Sequence, residues 1–227
     1  MLNDSQRKRV EYVLRELDMP TYDTDAFKDI GIESLRVFRG VLPPDRTITS
    51  PAFARFLKTN KALFQNKSVL ELGSGSGILS VVMAMHGAQH VVATDITDAC
   101  VENTRQNADI LHLGHIIETR KGDLFEPIKD ERFDLIVFAH PIYCDEPAEG
   151  SGLATAIMDS GGLIRRFLGD AKTYLKPKAR LLLPFNEAAG EGNHPQTHAE
   201  KYGFDIDRLA PLDEESGDLF VYELSSK

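Results

Sequence analysis

The sequence predicts an α/β protein built around an open, mostly parallel sheet, and three observations indicate this fold. From Ser68 onward, short apolar segments that suit buried strands alternate with segments of helical periodicity. A glycine-rich stretch, "LGSGSG", stands where the first of these strands meets the first following helix. The last two apolar segments are separated only by a short loop, which predicts an antiparallel hairpin at one edge of the sheet.

The first fifty residues lack this alternation and predict a small helix and strand cap over residues 1–50. Apolar residues at helical spacing predict an amphipathic helix over about residues 5–18, which Pro20 ends. Residues 34–44 alternate like an edge strand and stop at two prolines. We therefore expect the cap to precede one main domain over residues 51–227.

The main domain is predicted to begin with a helix that Ser50 caps, with Pro51 at its first position, and that runs to about residue 60. Thr97 is predicted to cap a second helix. The predicted parallel strands are "SVLEL", "HVVATD", "HIIETR", "FDLIVFA" and "ARLLLPF", and the hairpin strands are "GFDIDRLAPL" and "GDLFVYELS". Further helices are expected over residues 76–86 and 161–176.

Composition and charge exclude several classes of function. The net charge of −9 and a pI near 5.3 argue against a nucleic-acid partner, because such binding depends on Lys and Arg at phosphates. No apolar run approaches the roughly 20 residues that span a bilayer, and the N-terminus lacks a secretory signal, so we expect a cytoplasmic protein without a membrane partner. Two cysteines, Cys100 and Cys144, form neither a disulfide framework nor a metal set, and we expect no metal.

The glycine-rich stretch is the first candidate binding site. "VLELGSGSGILS" places Glu71, Gly73, Gly75 and Gly77 at the end of a strand and the start of a helix. Glycine is needed where the backbone turns sharply and approaches a ligand without a Cβ. Ligands of open α/β sheets lie outside the carboxyl ends of the strands, where this loop is expected, so we predict a nucleotide-like cofactor.

Two classes of cofactor compete for this loop. A dinucleotide fingerprint, G-x-G-x-x-G, would need glycine at position 78, where the chain has Ile78. The third glycine comes one position early, at Gly77, and no Lys-Ser/Thr follows, which excludes a P-loop. A loop of this spacing suits a cofactor without a pyrophosphate, and S-adenosylmethionine is such a molecule.

Two acidic residues at the ends of the next strands favour the same cofactor. Asp95 lies 22 positions beyond Gly73 and is expected to accept hydrogen bonds from both ribose hydroxyls. Asp123, in "KGDLF", is placed to accept from the exocyclic amine of adenine, with the backbone of Leu124 near the ring. Taken singly, the loop, Asp95 and Asp123 are explained as well by a turn, a neighbour of a helix cap and a turn residue. Their occurrence at three successive strand ends is what favours a binding site.

From about Val41 to Lys227 the chain resembles class I S-adenosylmethionine-dependent methyltransferases, in particular the small-methyltransferase group that includes release-factor glutamine methyltransferases. The matching segments are "VLELGSGSGILS", "ENTRQNA", "GDLF", "FDLIVFAHPIY" and "GGLIRRFLGDAKTYLKP", together with Asp95. The resemblance implies a Rossmann-like sheet of seven strands, the last of them antiparallel. It also implies that Ser74, Ile96 and His140 contact the cofactor.

The resemblance breaks at the end of the fourth strand. There the related enzymes have Asn-Pro-Pro-Tyr, in which the Asn oxygen and the following carbonyl accept from the target NH2 and the Tyr stacks on its planar group. Those bonds catalyse by orienting the nitrogen toward the methyl group. This chain has His140, Pro141, Ile142 and Tyr143 instead. We expect Pro141 and Tyr143 to contact the substrate and Tyr143 and His140 to be catalytic.

Because this chain has His140 where the related enzymes have Asn, the identity of the acceptor stays open. A neutral imidazole has one acceptor and one donor, so it holds an NH2 group less completely than an amide does, but its ordinary pKa suits a general base. A wall of the pocket is the alternative role for both His140 and Tyr143. We therefore expect a nucleophile that differs from a plain primary amide, with an amine that needs deprotonation, a ring nitrogen and a hydroxyl all open.

We expect methyl transfer from S-adenosylmethionine to nitrogen on a small molecule or a protein, with no oligomeric state predicted. The alternatives are an O-methyltransferase of a small metabolite, a non-catalytic relative that binds the cofactor, and an NAD-dependent oxidoreductase. Asp145, Glu146 and Glu149 in the loop after Tyr143 hint at a cationic acceptor. Arg46 is a candidate partner for the methionyl carboxylate, or else a residue of a solvent-facing turn.

Overall fold

A computed structural model describes residues 2–145, 156–212 and 217–227 of the chain. Its helices are α1 (Asp4–Leu17), α2 (Thr49–Thr59), α3 (Ile78–Met85), α4 (Asp98–Ile110), α5 (Gly162–Ala171) and α6 (Pro195–Ala199). Its strands are β1 (Tyr22–Thr24), β2 (Leu35–Val37), β3 (Ser68–Leu72), β4 (His90–Asp95), β5 (Ile117–Lys121), β6 (Phe133–Phe138), β7 (Leu175–Asn186), β8 (Phe204–Pro211) and β9 (Leu219–Ser226).

The described residues form one sheet of seven strands in the order β5-β4-β3-β6-β7-β9-β8. The strands from β5 to β7 run parallel, whereas β9 is antiparallel to both of its neighbours, β7 and β8. The predicted fold class, with a mostly parallel sheet and an antiparallel last strand, is confirmed. The predicted hairpin is also present, but its second strand inserts between β7 and β8, so that β8 forms the outer edge.

Both faces of the sheet are covered, which is why its central strands are mostly apolar. Alternate residues of β3 point to opposite faces: Leu70 and Leu72 belong to the hydrophobic cluster with α1 and α5, and Val69 belongs to the cluster with α2 and α3. All three side chains are buried. The helices therefore hold β3 and its neighbours rigidly, with their carboxyl ends at one edge of the core.

The N-terminal cap follows the prediction in α1 but not in its strand. Asn3 caps α1 and forms a reciprocal capping box with Gln6. The helix buries Val10, Val13 and Leu17 in the cluster that also contains sheet residues. The predicted edge strand over residues 34–44 is wrong in extent: only Leu35–Val37 is a strand, and it pairs with β1 in a separate two-stranded sheet.

The predicted cap of α2 is also wrong. The helix begins at Thr49, after Ile48, and no side chain caps it; Ser50 lies inside the first turn. The other predicted cap is confirmed, because the Thr97 hydroxyl accepts a hydrogen bond from Cys100 N at 3.2 Å. Division of the chain at residue 50 remains a prediction, since α1 shares its hydrophobic cluster with the sheet.

Candidate active site

A cavity of about 460 Å³ lies at the carboxyl ends of β3, β4, β5 and β6. Parallel strands bring the residues that follow each of them to the same edge, so four separate segments of sequence meet here. Nine of the predicted site residues line the cavity, namely Glu71, Gly73, Ser74, Gly75, Asp95, Ile96, Asp123, Leu124 and Pro141. Gly77, His140 and Tyr143 lie outside this lining.

The glycine loop presents bare backbone to the cavity. Gly73 and Gly75 have φ of +68° and +55°, the left-handed region that L side chains rarely adopt. A Cβ at Gly75 would meet no atom of the described chain within 4 Å, so this position faces open space. The loop is held from behind, where Ser74 N donates to the Thr94 carbonyl at 2.9 Å. A ligand can therefore approach the main chain directly at Gly75.

Gly77 has a different role from the two glycines before it. With φ of +80°, it lies against α4, where a Cβ would approach Thr104 Cγ2 to 2.8 Å and Thr104 Cα to 3.0 Å. The same helix ties down the loop, because the Thr104 hydroxyl donates to Ser74 Oγ at 2.9 Å and Asn107 Nδ2 donates to the Ser76 carbonyl at 2.8 Å. The close packing of α3 against α4 therefore requires this glycine.

Asp95 ends β4 with its carboxylate fixed in place. Its Oδ2 accepts from Gly75 N at 3.1 Å and its Oδ1 accepts from Thr97 N at 3.0 Å. Each carboxylate oxygen has further acceptor capacity, which suits a pair of vicinal hydroxyls. The next side chain, Ile96, is 58% exposed and lines the same cavity, where it offers an apolar surface to a flat ring.

Asp123 and Leu124 follow β5 on the far side of the cavity. Leu124 adopts a φ of +49°, unusual for a side chain of this type, and it lines the cavity. Asp123 Oδ2 accepts from Arg166 Nη2 of α5 at 2.6 Å, and Arg166 also lines the cavity. Sequence reasoning missed Arg166, since nothing in the helix marks it as the partner of a residue 43 positions earlier.

Glu71, at the base of the glycine loop, is buried and receives a short hydrogen bond from the Ser80 hydroxyl. Burial raises the pKa of this carboxyl to about 8, and the hydrogen bond from Ser80 opposes part of the rise. The protonated form therefore predominates near neutral pH in the protein without a ligand. A cation at this end of the cavity would favour the ionised form.

His140 points away from the larger cavity and into the protein. Its ring is 4% exposed, packs 5.7 Å from the ring of Phe185, and borders a second cavity of about 80 Å³. Nε2 donates to the Asn193 carbonyl at 2.9 Å, which fixes the tautomer with the proton on Nε2. Burial lowers the pKa of His140 to about 4. This geometry suits the wall of a pocket better than a general base.

Asn193 is the residue that holds the end of β6 in place, and sequence reasoning missed it. Its Nδ2 is within hydrogen-bond distance of three carbonyls, at 3.2 Å from Pro141, 3.1 Å from Tyr143 and 2.9 Å from Asp159. The side chain is buried. No local signal in "GEGNHP" could have shown this, because each partner lies 34 or more positions away.

Tyr143 is 8% exposed and belongs to the core cluster with Ile157. Its backbone N donates to the Ile157 carbonyl at 3.0 Å, and its carbonyl accepts from Asp159 N at 3.0 Å. Burial raises the pKa of its hydroxyl. With His140, it borders the smaller cavity, next to residues of the N-terminal cap such as Val13.

Two weaker candidates are engaged elsewhere. Arg46 forms an ion pair with Glu16 at 2.6 Å and lies over the Tyr22 ring, so its guanidinium is not presented to the larger cavity. Asp145 Oδ2 accepts from Leu2 N at 3.2 Å. Glu146 and Glu149 lie outside the described residues.

Among the described residues, the side chains form no candidate metal site and the helices include no candidate membrane span. No group of three or more His, Cys, Asp or Glu side chains is placed to hold a metal ion. None of the helices has the length and apolar character needed to cross a membrane.

Comparison with known proteins agrees with this geometry. Residues 56–142 match the family model for ribosomal protein L11 methyltransferase, which covers the glycine loop, both acidic strand ends and His140. Among solved structures, the T. thermophilus 16S rRNA methyltransferase RsmC, in complex with AdoMet and guanosine, superposes with a TM-score of 0.63 at 18% identity over 91% of this chain and 50% of its own. The chain has the fold of class I S-adenosylmethionine-dependent methyltransferases.

Other relatives carry the same fold or parts of the same sequence. A ribosomal protein L11 methylase from Lactobacillus delbrueckii superposes with a TM-score of 0.57 at 20% identity, covering 77% of each chain. A Lactobacillus johnsonii ribosomal protein L11 methyltransferase is 41% identical over 81 residues, 36% of this chain and 25% of its own length. A Bradyrhizobium diazoefficiens ribosomal protein uL3 glutamine methyltransferase is 33% identical over 125 residues, 50% and 39% respectively. The chain thus spans less than half of the length of the two relatives matched by sequence, 25% and 39% respectively.

Proposed function

We propose that this protein transfers a methyl group from S-adenosylmethionine to a nitrogen atom of an amine or amide acceptor. The observation that carries the proposal is the hydrogen bond between the glycine loop and the end of β4. Gly75 N donates to Asp95 Oδ2 at 3.1 Å, and the position of Gly75 faces open space. Bare backbone and a fixed carboxylate at one edge of the cavity are what a ribose and an amino-acid chain require.

The residues present fit this cofactor. Asp95 would accept from the ribose hydroxyls, with Ile96 against the adenine ring and Asp123 and the Leu124 backbone at its polar edge. The main chain of Gly73 and Gly75 would hold the methionyl part, near Ser74 and Glu71. Ile78, in place of the glycine that a pyrophosphate loop needs, favours this cofactor over a dinucleotide.

The chemistry asks little of the protein beyond placement. A sulfonium supplies a methyl group already activated for displacement, so the acceptor atom needs only a free electron pair and an in-line approach. Orientation of this kind contributes several kcal/mol, on the order of 7–11 kcal/mol in favourable cases. The strand end at Pro141, which lines the cavity, is the part of the chain placed to provide it. His140 and Tyr143 support that strand end from the protein side.

The acceptor is proposed as a nitrogen on either a protein or a small molecule. The names of the curated relatives, which include L11 and uL3 glutamine methyltransferases, support a protein acceptor. The exchange of Asn for His140 supports a small molecule, because the amide-holding pattern of glutamine methyltransferases is broken. Analysis of labelled product for N-methyl or O-methyl groups would separate nitrogen from a hydroxyl acceptor.

Calorimetric titration with S-adenosylhomocysteine and, separately, with NAD tests the cofactor. We expect saturable heat with S-adenosylhomocysteine and none with NAD. Heat with NAD alone would overturn the proposal in favour of an oxidoreductase. Transfer of a labelled methyl group into the protein or metabolite fraction of an extract then tests turnover, and binding without transfer would identify a non-catalytic protein.

A further inference from the structure

We propose that Asp159 recognises the methyl acceptor and that the acceptor is a cationic amine rather than a primary amide. The inference rests on the proposed methyl transfer and names the substrate class for the same cavity. Asp159 lines the larger cavity together with Pro141 and lies three residues before the first residue of α5, Gly162.

Asp159 is fixed against the strand end that faces the acceptor. Its backbone N donates to the Tyr143 carbonyl at 3.0 Å, and its own carbonyl accepts from Asn193 Nδ2 at 2.9 Å. Asn193 Nδ2 also reaches the carbonyl of Pro141 at 3.2 Å. One buried side chain therefore sets the position of Asp159 relative to the tip of β6.

The carboxylate of Asp159 is held in one orientation, and its negative charge is available to a ligand. Oδ2 accepts from Leu163 N at 2.9 Å, which fixes the side chain at the first turn of α5. Within the described part of the chain, Asp159 forms no ion pair. The cation on this wall of the cavity, Arg166, is paired with Asp123 at 2.6 Å. A ligand ammonium at Asp159 would supply the missing counter-charge.

The two acceptors that hold a glutamine amide in the related enzymes are altered here. The side chain at position 140 is an imidazole whose Nε2 donates into the protein, to the Asn193 carbonyl. The carbonyl of Pro141 already accepts from Asn193 Nδ2. A neutral amide thus finds fewer acceptors than in the Asn-Pro-Pro-Tyr arrangement, whereas an ammonium finds a carboxylate.

The transfer balances for such a substrate. The ammonium first loses one proton to water, which leaves a lone pair on nitrogen. That pair forms the bond to the methyl carbon as the carbon–sulfur bond breaks, and the electrons of the broken bond stay on sulfur as a neutral thioether. The positive charge passes to the methylated nitrogen, where Asp159 again opposes it.

Sinefungin provides a test that needs no knowledge of the acceptor. It carries an amine, charged at neutral pH, at the position where S-adenosylmethionine carries its sulfonium methyl, while the rest of the molecule matches S-adenosylhomocysteine closely. We expect wild-type protein to bind sinefungin more tightly than S-adenosylhomocysteine, and Asp159→Asn to lower that preference about tenfold, as for loss of one charged hydrogen bond. Asn retains an acceptor for Leu163 N. Asp170→Asn, at an exposed position of α5, removes the same charge and should leave the preference unchanged.

Each outcome of this test either supports or overturns the inference about Asp159. Equal losses for both ligands in Asp159→Asn would place the carboxylate at the methionyl ammonium, which both share, and would overturn the inference. An unchanged preference, or a wild-type protein that does not favour sinefungin, would also overturn it while leaving the proposed function intact. Failure of the wild type to bind either ligand would remove the proposed function and this inference with it.

Discussion

The two ends of the cavity are built on different principles. At the cofactor end, Gly75 and Asp95 expose main chain and carboxylate, and the loop is held from behind by α4. At the acceptor end, His140 is buried and Asn193 binds the carbonyls of the strand end. The first end is open and polar, whereas at the second the side chain of His140 and the carbonyls of the strand end are engaged within the protein, and Asp159 lines the cavity.

This difference separates the requirements of the cofactor from the requirements of the acceptor. A cofactor shared by many enzymes can be held by backbone and one acid, which any sequence with glycines at the right places provides. An acceptor is particular to each enzyme, and its site depends on side chains brought together from distant segments. Substitutions at the first end should therefore affect ligand binding, and those at the second should affect mainly stability and acceptor choice.

The largest effect is expected from Asp95→Ala. The variant removes the acceptors for the ribose and the anchor of Gly75 N, so we expect the affinity for S-adenosylhomocysteine to fall about hundredfold, as for the loss of two hydrogen bonds to a charged group. Asp98→Ala, an exposed neighbour that pairs with Lys121, is the matched control and should bind as the wild type does. Equal affinities in the two variants would contradict the assignment of the cofactor end.

Asn193→Ala should have the opposite pattern. Loss of a buried donor that serves three carbonyls is expected to lower the free energy of unfolding by about 2 kcal/mol, measured with urea. The affinity for S-adenosylhomocysteine should change less than about threefold. Asn60→Ala, at the exposed end of α2, is the control for removing an Asn side chain. A large loss of affinity with unchanged stability would show that the two ends are not separate.

The two glycines of the loop should divide in the same way. Gly77→Ala forces a Cβ against α4 and should destabilise the fold by about 1–2 kcal/mol, from the left-handed backbone and the clash with Thr104 together. Gly75→Ala has the same backbone cost but no clash, and should weaken ligand binding more than Gly77→Ala does. Urea unfolding and calorimetry on both variants test this. A larger loss of ligand affinity in Gly77→Ala than in Gly75→Ala would contradict this division.

The last expected effect is a pH dependence of stability from His140, which is small over any single unit of pH. Burial lowers its pKa from 6.5 to about 4, so at a pH between these two values the unfolded chain binds a proton that the folded protein does not bind. Stability should therefore fall as the pH falls from 6.5 toward 4, by about 1 kcal/mol per pH unit, and level off below. His140→Asn should make this slope shallower by one proton, with Glu71 and the other groups cancelling between the two proteins. An identical slope would mean that His140 titrates normally in the folded state.

The residues proposed for the cofactor could be named from the sequence because their signals are local. Left-handed glycines and an acid at a strand end leave their mark within a few residues, and the alternation of strands and helices gave the sheet around them. Sequence could not give Arg166, Asn193 or Asp159, whose roles come from contacts across 34 to 52 positions of chain. The same reason explains why the motif alone could not choose between a base and a pocket wall for His140, whose ring is buried by tertiary packing.

The cap and the edge of the sheet show the same limit. Ser50 followed by Pro51 had the local pattern of a capped helix start, but α2 begins two residues earlier, at Thr49. The position of β9 between β7 and β8 depends on strand pairing, which hydrophobic alternation alone does not specify.

A crystal structure with S-adenosylhomocysteine bound would test the contrast between the two ends most directly. We predict the ribose hydroxyls at Asp95, the sulfur facing Pro141 and Asp159, and His140 Nε2 still donating to the Asn193 carbonyl. A ligand outside this cavity, or a His140 ring turned into it toward the sulfur, would contradict the account.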